Sequence, residues 1–544
     1  MQLERIEIAG FRGIKRLSLS INALTTLLGE NTWGKSSLLD ALSLALPVEG
    51  ELPQFSIRDF HLDYAQSQPQ SQQLHIVLVF GSTDKQQERA VRYRKLAPLW
   101  VVHQHKKKIF YCLRAHRQGQ QVTTEVDFLC AQGLPLPLTN KQALAKELMS
   151  LHPILRLKQS QQAFAGNPSQ SSPALVRLEK RINNTCRRLL STPGHVNKGE
   201  IRSSLSAMHS LIGHYFSFKA SASSRSQDGL KDNLFYAASS TEPSLQRWIS
   251  GQQDKQTQLL LMRLLNAYLQ AKGKVKLRQC ARPILIIEDP EGHLHPTQLA
   301  RAWSLIQRLP VQKVLTTNSS DIVSWVPLGS IRRLVRKSDK TQSYHLNPEE
   351  FSQDELRKIG FHIRYHRTGA LFARCWLLVE GETEVWLFNQ FAQICHYNLA
   401  AEGVQIIEFA QSGLKSLIKV AQTLGIDWHV VTDGDMAGKK YAHSVRSRLL
   451  HEPERHHLSE LPDLDIEHFL FHHGFEPFFK SLLRIPLDHP IPAKKVVNRA
   501  LKKYAKPDLA LAIVDYCEQY GTERIPLLIR WILKRVVTSA RGRQ

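Results

Sequence analysis

Two periodicities alternate along this chain, and their order sets its plan. Short all-apolar runs ending in Gly, Asp or Glu predict strands buried on both faces. Runs with a helical repeat predict the helices that follow them. Residues 1–8 alternate polar and apolar as a half-buried strand does, a Gly-Phe-Arg-Gly turn occupies 10–13, and a second strand follows. The run 24–28 predicts a buried strand and 37–42 a helix. Antiparallel strands are expected at 75–80, 99–103 and 109–113. Gln, Ser, Asn and Pro dominate 159–172, which predicts a linker. Helical patterns at 174–190 and 198–216, then a Ser-rich stretch at 217–229, read as a helical insertion. Its apolar face suits either a dimer contact or a cap on the sheet. An apolar helix is expected at 259–269, buried strands at 283–287 and 313–317, a basic strand at 332–337 and a short helix at 348–359. From 368 the alternation is strict: strands at 375–379, 404–408 and 428–432, with helices at 385–396 and 414–424. Such alternation defines an α/β fold with parallel sheets. The expected plan is one α/β domain in two parts, 1–160 and 231–367, split by an insertion at 161–230, and a second α/β domain at 368–544.

The junction between 24–28 and 37–42 reads Gly29-Glu30-Asn31-Thr32-Trp33-Gly34-Lys35-Ser36. This is a G-x-x-x-x-G-K-S phosphate-binding loop in the strand–loop–helix setting it requires. Glycines let backbone N–H groups approach phosphate oxygens, and the helix that opens there turns its positive end toward them. Lys35 is placed for the β- and γ-phosphates of ATP and Ser36 for Mg²⁺, with Ser37 closing the cofactor-binding stretch. Strand 283–287 ends in Glu288-Asp289-Pro290-Glu291-Gly292-His293-Leu294-His295-Pro296. Two acids closing a strand downstream of a P-loop make a Walker B pair: Glu288 for Mg²⁺, and Asp289 to orient or deprotonate the attacking water. The usual order is Asp-Glu; the swap moves each carboxylate by about one methylene, which predicts slow hydrolysis. Asn318 stands after strand 313–317, where a histidine commonly senses the γ-phosphate, and can donate a hydrogen bond without a charge. Ile249-Ser250-Gly251-Gln252-Gln253 lies one glycine short of an L-S-G-G-Q signature. His293 and His295 lack a third clustered ligand and read as parts of a turn.

The second domain carries acids at its strand ends. Strand 375–379 runs into Glu380-Gly381-Glu382-Thr383-Glu384, and strand 428–432 into Asp433-Gly434-Asp435. Acids at the carboxyl ends of parallel strands converge on one sheet edge. Asp463, Asp465 and Glu467 add carboxylates just as a later helix opens. So many like charges repel unless cations neutralise them, and oxygen donors suit Mg²⁺ or Mn²⁺.

Charge narrows the partners. The 544 residues hold 72 Lys and Arg against 48 Asp and Glu, a formal net charge of +24. That excess points to a polyanion, with nucleic acid favoured over a membrane because no basic amphipathic anchor is evident. The basic stretch around Arg89, Arg92, Arg94, Lys95 and 106–108, interleaved with aromatics, reads equally as a phosphate track or as a lysine-guarded sheet edge. The seven cysteines have no C-x-x-C spacing and read as buried thiols. No signal-peptide core opens the chain and no apolar run is long enough to span a bilayer, so a cytoplasmic protein is expected.

E-G-x-x-E after one strand and D-x-D after a later one resemble the Toprim domain. Joined to a P-loop domain with E-D-P-E-x-x-L-H-P, they make the chain similar, over nearly its whole length, to the OLD (overcoming lysogenisation defect) family of ATP-dependent endonucleases. The resemblance implies an ABC/SMC-like ATPase with a helical insertion followed by a Toprim nuclease using two metals. Glu380, Glu384, Asp433 and Asp435 match the family's acidic positions, and Glu467 matches a later ligand. Lys506 matches the basic residue near the scissile phosphate, with Lys494, Lys495 and Lys503 as neighbours in sequence. DNA, ATP, Mg²⁺ or Mn²⁺ and a homodimer sandwiching ATP are implied with it, in phage defence or DNA repair. The departures are Trp33 in the loop, the Glu288-Asp289 order, Asn318 and the incomplete signature; all concern the ATPase. The rival reading is an ATP-gated DNA clamp of the recombination-mediator type whose Toprim unit binds without cutting. A topoisomerase or primase would need a breakage–rejoining tyrosine or a zinc ribbon, and a transporter ATPase leaves the acids unexplained.

Overall fold

The computed structural model describes residues 1–62, 71–82, 90–157, 173–191, 196–216, 255–273, 275–449 and 452–542. The linker at 159–172, the Ser-rich stretch at 217–229 and the motif at 249–253 lie outside the described residues. The chain divides into two compact units, Met1–His345 and Leu346–Gln544.

In chain order the first unit contains β1 (Gln2–Phe11), β2 (Ile14–Ser20), β3 (Leu24–Leu28), β4 (Gln73–Gly81), β5 (Val101–His103), β6 (Lys106–Gln118), β7 (Gln121–Leu129), β8 (Ile154–Leu157), β9 (Ile284–Glu288), β10 (Gln312–Thr316), β11 (Ile331–Arg336) and β12 (Thr341–Tyr344). One sheet is antiparallel, in the order β2-β1-β4-β6-β5 with β7 on β6. The other runs β12-β11-β3-β10-β9-β8, parallel except for β12. β10 therefore lies between the P-loop strand β3 and the acid-bearing strand β9. This is the arrangement that brings a P-loop and a Walker B pair to one edge.

The helix Lys35–Ala45 buries Leu38, Leu39 and Leu42 in a core shared with Leu3, Ile6 and Ile8 of β1 and Ile284 and Ile286 of β9. The strand expected at 99–103 is shorter than its apolar pattern suggests. Val91–Leu99 winds as 3₁₀ turns around Pro98, and pairing starts at Val101. Phe80, Phe110 and Tyr111 are buried, so the aromatics of this basic stretch belong to the core. Lys108 pairs with Glu4 at 3.2 Å and Arg114 with Asp127 at 3.9 Å. The insertion's helices Pro173–Ser191 and Lys198–Tyr215 are present.

The second unit is built on β13 (Cys375–Val379), β14 (Val404–Glu408), β15 (Asp427–Thr432) and β16 (Leu458–Glu460), all parallel in the order β14-β13-β15-β16. It begins at Leu346, ahead of the expected 368, and the turns just before β13 are tied to this sheet. Trp376 Nε1 donates to the Ala370 carbonyl at 2.8 Å, and Arg367 pairs with Glu408 at 2.7 Å. No described helix is long and apolar enough to cross a membrane.

Leu39 is 1 % exposed, and Leu39→Ala should lower the stability of the first unit by about 2–5 kcal/mol. The check is the urea midpoint of that unit's unfolding; an unchanged midpoint would mean the P-loop helix is not part of the core.

Candidate functional site

The first unit's site starts from backbone geometry. Gly29 has φ +146° and Gly34 φ +94°. A Cβ on Gly29 would come within 2.9 Å of the Leu334 carbonyl, and one on Gly34 within 3.0 Å of Ile14 Cγ1. No side chain caps the helix that opens at Lys35, so its first N–H groups stay available to an anion. Ser36 sits in that turn, while Ser37 Oγ accepts the Gly13 N–H at 3.2 Å. Within the loop Trp33 lies under the Arg333 guanidinium at 5.7 Å, and the Thr32 carbonyl accepts from Arg336 at 3.5 Å. Glu30 and Asn31 complete the turn, with the Trp33 N–H donating to the Glu30 carbonyl at 3.1 Å.

Lys35 is 4 % exposed. Burial lowers its pKa, opposed by the charges of Asp289 and Glu291. Its Nζ donates to Asn318 Oδ1 at 2.9 Å. The amide expected to donate thus presents its oxygen to the P-loop lysine. Asp289 takes a left-handed φ of +37° and accepts from Thr316 Oγ1 at 3.0 Å. Glu291, which the sequence reading left without a role, accepts from Thr317 Oγ1 at 3.0 Å and from the Asn318 N–H at 2.7 Å. It fixes the loop that carries Asn318. His295 Nδ1 accepts from the Thr297 N–H at 3.4 Å and caps the next helix.

Sequence reasoning also missed a chain of ion pairs behind the loop. Arg156, near the end of β8, bridges Glu288 and Asp40. Asp40 pairs in turn with Arg12, which reaches Asp59 at 2.8 Å. The Arg12 turn, the P-loop helix, β8 and the end of β9 are so joined by alternating charges. The arginine in Gly-Phe-Arg-Gly was the available signal; Arg156 had none, because its partners lie far away in sequence.

The second unit's site lies at the carboxyl edge of β13 and β15. Glu380 follows β13. Glu384 opens the next helix, 9 % exposed, and its Oε2 accepts the Gly381 N–H at 3.0 Å. Asp433 follows β15, and Asp435 caps the helix Met436–Arg446, accepting the Gly438 N–H at 2.6 Å. Glycine is required twice: a methyl on Gly438 would strike the Asp433 carbonyl, and one on Gly434 the carbonyls of Asp463 and Leu461. Glu467 lies in the helix Ile466–Leu470, 2 % exposed.

These carboxylates act on one another. Burial, then Glu384, Glu380, Asp465 and Glu467, push the Asp433 pKa up to about 8. Burial, Asp435 and Glu384 raise Glu380, and burial and Asp465 raise Glu467; Lys506 opposes both rises. Lys506 thus stands within electrostatic reach of the acids, at the start of the helix Lys506–Tyr520. Glu380 Oε2 and Glu467 Oε1 are buried without a hydrogen-bond partner. No three His, Cys, Asp or Glu among the described residues stand close enough as placed to share an ion. The donors are nevertheless of the hard oxygen type, and orphaned buried carboxylate oxygens are what a divalent cation satisfies.

The two sites define an α/β protein in which a P-loop unit precedes a Toprim unit. The chain belongs to the family described as "Protein of unknown function (DUF2813)", which matches residues 1–370. Residues 371–435 match the "Overcoming lysogenization defect protein-like, TOPRIM domain". It is 40 % identical, over the full length of both chains, to a relative described as "Uncharacterized protein YbjD" of Escherichia coli strain K12. Among solved structures it is similar to the C-terminal region of the Burkholderia pseudomallei OLD protein, with 18 % identity and a TM-score of 0.26, covering 31 % of this chain and 99 % of that one. It is also similar to the SMC head domain from Thermotoga maritima, with 11 % identity and a TM-score of 0.31, covering 64 % and 100 %.

Two outcomes follow. Arg156→Ala leaves Glu288 and Asp40 without their shared cation; as both are partly exposed, about 1–3 kcal/mol of stability should be lost in chemical denaturation. A loss below 0.5 kcal/mol or so would mean solvent already screens the network. For Asp433, the folded pKa lies above the unfolded one. Its stabilising protonation is therefore complete below about pH 4 and lost as pH rises toward about 8. In chelator, Asp433→Asn should accordingly melt higher than wild type at pH 8 and match it near pH 4; equal melting at pH 8 would contradict the shift.

Proposed function

We propose that the chain is an ATP-modulated, divalent-cation-dependent DNA endonuclease, its Toprim unit cutting and its P-loop unit binding and hydrolysing ATP. One observation carries the reading: buried and half-buried carboxylates at a parallel sheet edge, raised in pKa by burial and mutual repulsion, with unpartnered oxygens and a lysine within electrostatic reach. Glu380, Glu384, Asp433, Asp435 and Glu467 would hold Mg²⁺ or Mn²⁺. Bound there, the cations supply the Lewis acid of phosphodiester hydrolysis. Lys506 offsets charge on the scissile phosphate and orients it toward the edge.

In the first unit the loop N–H groups and Lys35 would hold the ATP phosphates, Ser36 and Glu288 would hold the nucleotide's Mg²⁺, and Asp289 would orient water. Asn318 holds Lys35 Nζ until phosphate takes its place. Glu288 must give up part of its pairing with Arg156 to reach a cation, which favours slow turnover. Pairing of two P-loop units around ATP and a cytoplasmic setting belong to the same reading and rest on the family resemblance.

The test is supercoiled plasmid incubated with Mg²⁺ or Mn²⁺, with and without ATP, beside Asp433→Ala/Asp435→Ala. Nicked or linear product is expected from wild type alone, and Lys35→Ala should change that rate only when ATP is present. No product from wild type in any condition, with DNA retention that depends on ATP and on Lys35, would move the assignment to a DNA clamp.

A further inference from the structure

The helix Ala493–Lys503 and the turn after it carry a charge pattern that the fold does not need. From His489 to Pro507 the chain has six lysines and arginines and no acid. Lys494, Lys495, Arg499, Lys502, Lys503 and Lys506 are all exposed. None of the six has an ion-pair partner among the described residues; Lys503 lies over the Tyr504 ring at 5.2 Å. Asp488 and Asp508 are the flanking carboxylates, both exposed.

The opposite face of the helix is apolar. Val496, Val497 and Ala500 share a core with Ile466, Phe469 and Leu470, the helix that carries Glu467. The cations cover the remaining half of the wheel. Helix stability accounts for Lys502 and Lys503, which lie in the last turn and suit the dipole, but Lys494 and Lys495 in the first turn oppose it. Lys495, Arg499 and Lys503 follow one another at i, i+4 spacing and repel. Charges arranged against the helix's own electrostatics call for an anion from outside the chain.

The dimensions say which anion. From Lys495 to Lys503 the stripe is about 12 Å long at ~1.5 Å per residue. That length spans several phosphates of a nucleic-acid strand, spaced about 3.4 Å along the duplex axis. A mononucleotide would use one end of it. The stripe continues into Lys506, which opens the helix Lys506–Tyr520; that helix packs on Glu382–Ile394, the helix that carries Glu384. It therefore leads to the acidic edge.

We propose that Lys494, Lys495, Arg499, Lys502 and Lys503 form a sequence-independent docking stripe for a DNA phosphate backbone and guide it to the edge at Glu380 and Asp433. This deepens the nuclease reading and rests on it only for the word substrate. No base is read here; the stripe supplies affinity and register.

The test is fluorescence anisotropy of a labelled DNA duplex against the full-length protein across a salt series. Each lost phosphate contact should flatten the slope of log K against log salt by about 0.9. Lys495→Gln/Arg499→Gln/Lys502→Gln/Lys503→Gln should lose about 2–4 of slope and at least about tenfold in affinity near 0.1 M salt. Its ATP binding and circular dichroism should match wild type. The half-variants Lys495→Gln/Arg499→Gln and Lys502→Gln/Lys503→Gln should each lose about half the slope change. Asp433→Ala/Asp435→Ala should keep the full slope. An unchanged slope in the four-site variant overturns the stripe even if wild type cuts DNA. A wild type that binds through the stripe without cutting overturns the nuclease and leaves the stripe standing. No duplex binding by wild type overturns the stripe.

Discussion

Mutual repulsion among carboxylates that are buried (Glu384, Glu467) or half-buried (Glu380, Asp433, Asp435) is the constraint on which the edge of the second unit depends. β13 and β15 run parallel and adjacent, so the residues that end them, Glu380 and Asp433, open on the same edge. Gly438 lets the next turn close against the Asp433 carbonyl, and Gly434 lets the chain pass close to the carbonyls of Asp463 and Leu461. Glu384 and Glu467 come from helices packed on the same sheet and are nearly buried. Such a cluster costs stability at neutral pH, and either protonation or a bound cation would relieve it. Lys506 alone offsets only part of it.

In the first unit the corresponding constraint is the placing of one buried lysine. Lys35 loses hydration in the core beneath the P-loop and recovers it partly from Asp289 and Glu291. Asn318 holds its Nζ, and Glu291 holds Asn318. Phosphate oxygens offer Lys35 a stronger partner than an amide does. A phosphate in the loop would thereby be linked to the segment between β10 and the helix Ser320–Trp325. The Arg156 bridge adds a second link, from the end of β9 to β8 and the P-loop helix.

Much of this could be read along the chain because the signals are local. The P-loop and β13, β14 and β15 are short apolar runs closed by Gly or acids, and the structure places each strand within a residue of its pattern. Acids at strand ends needed only the parallel alternation to be gathered. What escaped was long-range. β7 carries a weak alternation and is specified by pairing with β6. β8 is only four residues long and exists by pairing with β9, far along the chain. Arg156, a lone arginine in an apolar run, acquires meaning only through Asp40 and Glu288. The π-helical turn at Ile359–Tyr365 and the kink at His473 and Gly474 have no periodic pattern of their own.

An edge of this kind should exchange protons for a divalent cation. Titration calorimetry of Mn²⁺ into the full-length protein at pH 7, in two buffers of different ionisation enthalpy, measures it directly. With Asp433 near a pKa of about 8, binding should release roughly one proton or more per protein, and Asp433→Asn should abolish most of that release. Binding at this edge without proton release, or release unchanged in Asp433→Asn, would contradict the account.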